Sequence, residues 1–308
     1  IKNCKIKLYK HLNLKNYLFL TLLIIYSCTE IEKDENFDSV KIIDTVVLPK
    51  IINETSGLEI LNDVFITHND SGGEPSLYFF NLSGEIINSI MLEKENFWEI
   101  YNNDWEDITA DEDYIYIADT GNNFGTRDNL NILKVKINDF SIDDKIDIFY
   151  SDQKSFFPSF KHKYDAEALL IIQDKIALFS KDRDSLHTDL YIIDEKVKGK
   201  QSLSSFAKYK VNTLITGGDY DNDTGILALV SYSSKRNFFL NFLRDDQYLI
   251  LFKDFDIDNP RNNSFKKYKI PIERAQIESI KVINEKMFWV TSEDEGIGNP
   301  YMYKLELD

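Results

Sequence analysis

Glu106-Asp-Ile-Thr-Ala-Asp-Glu-Asp-Tyr114-Ile-Tyr-Ile-Ala reads as a carboxylate opening a short buried strand, an acidic turn, and a second hydrophobic strand. The phrase returns at Ser56-Gly-Leu…Val64-Phe-Ile-Thr-His, Glu167-Ala-Leu…Lys175-Ile-Ala-Leu-Phe and Glu278-Ser-Ile…Lys286-Met-Phe-Trp-Val. A looser copy runs from Thr216-Gly-Gly-Asp to Ile226-Leu-Ala-Leu-Val. In the four clear copies the second strand opens eight residues after the lead residue, at Val64, Tyr114, Lys175 and Lys286. A repeat of about 50 residues built only of strands is the signature of propeller blades.

Each copy continues with a third and a fourth strand. Short aromatic and β-branched runs such as Leu77-Tyr-Phe-Phe, Asn131-Ile-Leu-Lys-Val and Tyr301-Met-Tyr-Lys-Leu supply the third. Runs such as Ile146-Asp-Ile-Phe-Tyr and Phe265-Lys-Lys-Tyr-Lys-Ile supply the fourth. The last copy has no fourth strand of its own, whereas Val40-Lys-Ile-Ile-Asp-Thr-Val-Val-Leu stands before the first copy, where fourth strands stand elsewhere. The expected fold is all-β: a five-bladed β-propeller of four-stranded blades, the last blade closed by the N-terminal strand. Closure of that kind removes two exposed sheet edges at once. With 43% hydrophobic residues, 12 Gly and 6 Pro, the chain from 40 to 308 can bury the core of one such domain, and nothing in it resembles a linker.

The segment before that domain has a different character. Five lysines precede the apolar run Tyr17-Leu-Phe-Leu-Thr-Leu-Leu-Ile-Ile, which is short for a bilayer span. The run ends at Ile25-Tyr26-Ser27-Cys28, which resembles a bacterial lipobox. Residues 1–27 are therefore expected to be a lipoprotein signal peptide, with Cys28 as the lipidated residue, and 28–39 an acidic tether. A lipid anchor makes the membrane one partner, on the outer membrane and facing outward. An ordinary signal peptide or membrane anchor, with Cys28 incidental, is the alternative. Cys4 lies in the signal, so the mature domain has no thiol for a disulfide, a thiolate zinc site or a nucleophile. The net charge of −16 shows no basic stripe and excludes nucleic acid as a natural partner.

In a propeller the first strand of each blade lines the central channel, so the lead residues Ser56, Glu106, Glu167, Thr216 and Glu278 converge on one axis. Three carboxylates aimed at one another repel and raise their own pKa values unless a cation sits between them. Hard oxygen ligands suit calcium, the expected cofactor. The alternative is that these glutamates cap backbone amides at the channel mouth. The polar ends of the second strands form a rim on the same face. There Asp70 and Asp119 are candidate catalytic carboxylates, and Trp105, Asn122, Asn123, Arg127, Lys181 and Arg183 are candidate ligand-binding residues for a small anionic group or a protein partner. Asn, Asp and Gly in such places are also the residues that turns select. His68, His162 and His187 have no metal-ligand spacing, and no Gly-rich phosphate loop or nucleophile elbow is present.

The order Ser, Glu, Glu, hydroxyl, Glu on five inner strands resembles the calcium ring of the calcium-dependent apyrase propellers, and Ser56 to Gly73 looks like their first-blade segment. The resemblance implies calcium ligands at Ser56, Glu106, Glu167 and Glu278, with Thr216 in the weaker place. Where that family carries an Asp-Asp-Arg-Thr-Gly stretch, this chain has Asn69-Asp70-Ser71-Gly72-Gly73, which keeps the aspartate and lacks the arginine. Two functions follow: a lipoprotein propeller whose ion organises a ligand-binding or partner-binding face, or a calcium-dependent phosphohydrolase acting on nucleotides or phosphoesters. The missing arginine favours the first.

Overall fold

A computed structural model describes residues 37–93, 100–197, 199–233, 246–272, 275–293 and 298–308. The expected signal peptide, Cys28 and the expected tether up to residue 36 lie outside the described residues. Two strands open the chain, β1 (Asp38–Ser39) and β2 (Lys41–Val47). Blade one holds β3 (Thr55–Leu61), β4 (Val64–Asn69), β5 (Ser76–Phe80) and β6 (Ile86–Met91). Blade two holds β7 (Asp107–Ala110), β8 (Tyr114–Asp119), β9 (Asn131–Lys136) and β10 (Ile142–Tyr150). Blade three is β11 (Ala166–Ile172), β12 (Lys175–Ser180) and β13 (Thr188–Ile193), then, after β14 (Gln201–Leu203), β15 (Ala207–Tyr209). Blade four is β16 (Leu214–Asp221), β17 (Ile226–Tyr232), β18 (Gln247–Phe252) and β19 (Phe265–Ile270). Blade five is β20 (Ile277–Asn284), β21 (Met287–Ser292) and β22 (Tyr301–Glu306), completed by β2. The closing register runs antiparallel from Lys41 opposite Glu306 to Val47 opposite Tyr301.

Two blades have five strands where four were expected. Strand β14 leaves its own blade and pairs in parallel with β10, Gln201 opposite Ile148, while β1 pairs in parallel with β19, Asp38 opposite Tyr268. Asp38 and Ser39, assigned to the tether on sequence, are thus strand residues. Runs of two or three residues carry no readable alternation, yet each covers an outer edge that would otherwise offer free backbone groups.

The core lies between blades. Ala168, Phe179, Leu229 and Phe252 fill the space between blades three and four. Leu48, Leu58, Phe65, Phe80, Trp289 and Met302 fill the junction of blades five and one, where the Trp289 and Phe65 rings meet edge to face at 5.7 Å. Because both faces of each blade are covered, middle strands such as Ile226–Tyr232 read as continuous hydrophobic runs instead of alternating ones.

Candidate functional site

The lead residues sit where the inner strands are irregular. In β11 the pairing with β12 shifts between Ala166 and Ala168, in β16 with β17 between Ile215 and Gly217, and in β20 with β21 between Ile277 and Ser279. The residue skipped in each case is Glu167, Thr216 or Glu278. In blade one the shift follows Ser56, and in blade two Glu106 donates its backbone N–H to Ala118 O at 2.9 Å just ahead of the Asp107–Ala118 pair. A bulge re-aims one side chain out of the strand's alternation. A bulge therefore sits at the lead residue of blades three, four and five, while blade two shows no register shift at Glu106.

The two hydroxyls of this ring stitch blades together. Ser56 Oγ donates to Glu106 O at 2.6 Å and Thr216 Oγ1 to Ile277 O at 2.6 Å, and Thr120 Oγ1 does the same for Ala166 O at 2.7 Å. Their protons are committed to these interblade bonds, and of the three only Ser56 lines the cavity described next.

The three ring glutamates face a cavity of about 510 Å³ together with Asp70, Asn123, Lys181 and Arg183. The two cations there are already held. Lys181 Nζ donates to Glu167 Oε2 at 2.5 Å, and Arg183 bonds Asp165 and also donates to Asn123 Oδ1 at 2.6 Å. Burial opposes the Lys181 charge, but Glu167 and its other acidic neighbours outweigh it and hold the ammonium well above its ordinary value. The carboxylates are strained the other way. Burial, then Glu167 and Asp70, push Glu106 well above the usual range; burial pushes Glu278 the same way. Burial, then Asp104, raises Asp70 to about 8, and burial raises Glu167 to about 8 against the pull of Lys181.

Glu106 is 5% exposed, and among the described residues no hydrogen bond or ion pair reaches its carboxylate. One oxygen each from Asp70, Asp104 and Glu106 lie within 4.8 Å of one another, as do oxygens of Glu106, Asp165 and Glu167. Asp70 Oδ1 is buried with no donor, and the carboxylate beside it is that of Asp104. Two carboxylates in contact hold either a shared proton or a cation between them. The donor set is all oxygen, irregular and anionic, and it fits calcium. In the second cluster Asp165 is already taken by Arg183 and by the Asn122 N–H at 2.6 Å, so the first cluster is the better ion site.

Five expected site residues do not line the cavity, among them Thr216, which is fully buried on its hydrogen bond to Ile277 O. Asp119 is buried and saturated: Arg127 at 2.7 Å, Asn103 at 2.7 Å and Asn131 at 3.1 Å all donate to it. Arg127 is spent there and on Gly121 O at 2.6 Å. Asn122 bonds Tyr164 O and receives the Arg127 backbone N–H, so it is turn chemistry. Trp105 is buried in the packing between blades one and two, edge-on to His68 at 5.5 Å.

Other cavity residues were not singled out from the sequence. Glu54, Leu214 and Gln276 line the cavity, each two residues ahead of its blade's lead residue, and Asp104 and Asp165 hold the same position before Glu106 and Glu167. Only Leu214 of these five lies within a strand; the others stand on the connections that lead into the inner strands. Tyr232, the last residue of the second strand of blade four, and Glu293, which follows that of blade five, complete the wall. Deeper on the axis, Lys281 bridges Glu59 at 2.6 Å and Asp219 at 3.0 Å, a closed polar plug.

No family model matches the chain, and no curated protein matches it. Among solved structures, it is similar to an exo-β-1,3-galactanase from Clostridium thermocellum at 12% identity, covering 87% of this chain and 63% of that one, with a TM-score of 0.53. A GH43 β-1,3-galactosidase solved with galactodeoxynojirimycin shares 11% identity over 87% of this chain and 95% of its own, TM-score 0.49. An endo-arabinase from Bacteroides thetaiotaomicron shares 12% identity over 89% and 99%, TM-score 0.46. None of the three is an apyrase or another phosphohydrolase, and at these identities the likeness speaks to the propeller fold alone.

Proposed function

We propose that this propeller binds a divalent cation, calcium, on the floor of its central cavity and uses the ion and the cavity wall to hold a ligand. The observation that carries the reading is Glu106, buried and with no hydrogen bond or ion pair among the described residues, beside Asp70 Oδ1 and the Asp104 carboxylate. Asp70, Asp104 and Glu106 would hold the ion, with Glu167 and Glu278 close by. Calcium would supply positive charge and open coordination positions. Ser56 and Thr216 keep the ring closed through their interblade hydrogen bonds. Anchoring through Cys28 to an outward-facing outer-membrane surface belongs to the same proposal and is supported by the lipobox-like Ile25 to Cys28 run.

The phosphohydrolase alternative has less support. A phosphate clamp needs cations free to meet an anion, and Arg127 is turned onto Asp119 while Arg183 is turned onto Asp165. Calorimetric titration of calcium into the chelator-treated protein tests the proposal. Binding weakened at least about tenfold in Glu106→Gln and in Asp70→Asn is the expected result, since each removes a charged ligand. A protein that takes up no calcium, and whose melt is the same with calcium and with chelator, overturns it.

A further inference from the structure

The cavity's charge balance says what kind of ligand it can take. Asp70, Glu106, Glu167, Glu278, Glu54 and Glu293 line it against Lys181, Arg183 and Lys161. Two of those three cations are ion-paired within the protein. The lining carboxyl groups offer oxygens that accept hydrogen bonds and, where burial keeps the proton on, O–H groups that donate them, while two of the three cations are not free to meet an anion. A neutral molecule with many hydroxyls matches that lining.

The rim supplies an independent observation. Phe124, Phe156, Phe157 and Phe160 are 48%, 45%, 83% and 67% exposed, on the loops joining β8 to β9 and β10 to β11. Large exposed apolar side chains gathered in one place mark a binding surface. These loops are pinned: Ser159 donates its N–H to Phe124 O at 2.9 Å, and Gln153 Nε2 donates to Gly125 O at 2.9 Å. Gly125, at φ +69°, lies against the His162 ring, where a Cβ would fall 3.2 Å from Cδ2. The Phe124 and Phe160 rings are held at 4.8 Å, and Phe160 itself lines the cavity. A fixed aromatic platform beside acceptor-rich walls matches a sugar ring, which has an apolar C–H face and a girdle of hydroxyls.

We propose that the cavity receives the terminal residue of a neutral glycan, its ring face on Phe160 and its hydroxyls toward Asp70, Glu106 and the open positions of the bound ion. The inference rests on the cation site for the hydroxyl contacts and on the rim for the stack, and the two are read separately.

The test is binding of the full chain, with calcium present, to an array of neutral oligosaccharides alongside uronic-acid and sulfated counterparts, ATP, and phospholipid vesicles. The expected result is retention of one or more neutral glycans over their anionic counterparts. Phe160→Ala should weaken that binding about tenfold while leaving the melting temperature and the calcium heat unchanged, because the ring is exposed. Glycan binding that depends on Phe160 but persists without calcium uptake supports the stack and removes only the cation reading. Preference for anionic glycans or ATP, no glycan bound, binding indifferent to Phe160→Ala, or vesicle binding abolished by Phe157→Ala in place of glycan binding would each overturn the proposal.

Discussion

Gly121 is pressed against Glu106: a Cβ on Gly121 would fall 2.0 Å from Glu106 Oε1 and 2.5 Å from Asp104 Oδ2. The absence of a side chain there is what lets the ring carboxylate lie between Asp70 and Asp104. Gly121→Ala should push Glu106 and Asp104 aside. The expected cost is about 1–3 kcal/mol of stability from overpacking, together with a smaller calcium-induced rise in melting temperature. Thermal melts with calcium and with chelator check both parts. Wild-type behaviour in both conditions would show that the contact is not needed.

Asp107, next to Glu106, does structural work of another kind. Its buried carboxylate accepts the N–H of Ile108 at 2.9 Å, of Leu169 in blade three at 2.8 Å, and of Gly218 in blade four at 3.3 Å. One side chain thus ties three blades at the axis. Asp107→Ala strands buried donors, each costing about 1–3 kcal/mol, so urea unfolding should show a loss of about 3 kcal/mol or more. Asp107→Asn, which keeps one acceptor oxygen, should lose less. Equal stability of both variants and wild type would remove the clasp.

The blades and the ring were readable because the first and second strands of a blade are joined by a tight turn of near-constant length, which puts an oxygen-bearing lead residue at a fixed offset from the second strand. Glu106, Glu167 and Glu278 carry that offset plainly. Asp119, Arg127 and Asn122 were misplaced because a polar residue ending a strand looks the same whether it faces a cavity or a neighbouring turn. Only the three-dimensional path of the loop from Thr120 to Leu130 turns them onto one another. Asp104 and Gln276 stand on the connections ahead of the inner strands and Glu293 follows β21, where no strand period marks them, while Tyr232 is the last residue of β17. Strands β1 and β14 were invisible because two or three residues cannot display a period.

Blade five depends on β2. A chain starting at Leu48 leaves the outer edge of β22 unpaired from Tyr301 to Glu306 and removes Val46 from its packing at the junction with blade one. Compared with a chain starting at Phe37, it should melt at a lower temperature and aggregate through the open edge. Indistinguishable melts and monodisperse scattering for the two chains would argue that closure contributes nothing.

In the proposed lipoprotein the Cys28 thiol would receive the lipid, so Cys28→Ser should abolish metabolic labelling with a radiolabelled fatty acid and leave the precursor uncleaved. Labelling that persists in this variant, with Cys4 also changed to Ser, would exclude lipidation at Cys28 and move the anchor elsewhere.

The ring carboxylates give the calcium-free protein a pH dependence opposite to that of a protein held by carboxylate salt bridges. Asp70 and Glu167 are raised to about 8 from ordinary values of 3.8 and 4.5. Between those limits the folded state keeps protons that the unfolded chain has released, so stability falls as pH rises, by up to about 1.4 kcal/mol per pH unit for each such group. In the proposed site calcium would take the place of the proton. It should therefore stabilise little at pH 5 and progressively more towards pH 8, where the bare cluster is least stable. Melts at pH 5, 6, 7 and 8, with calcium and with chelator, measure this directly. A chelated protein that gains stability towards pH 8, or a calcium shift that stays constant across the range, would mean that ion and proton do not compete for these oxygens.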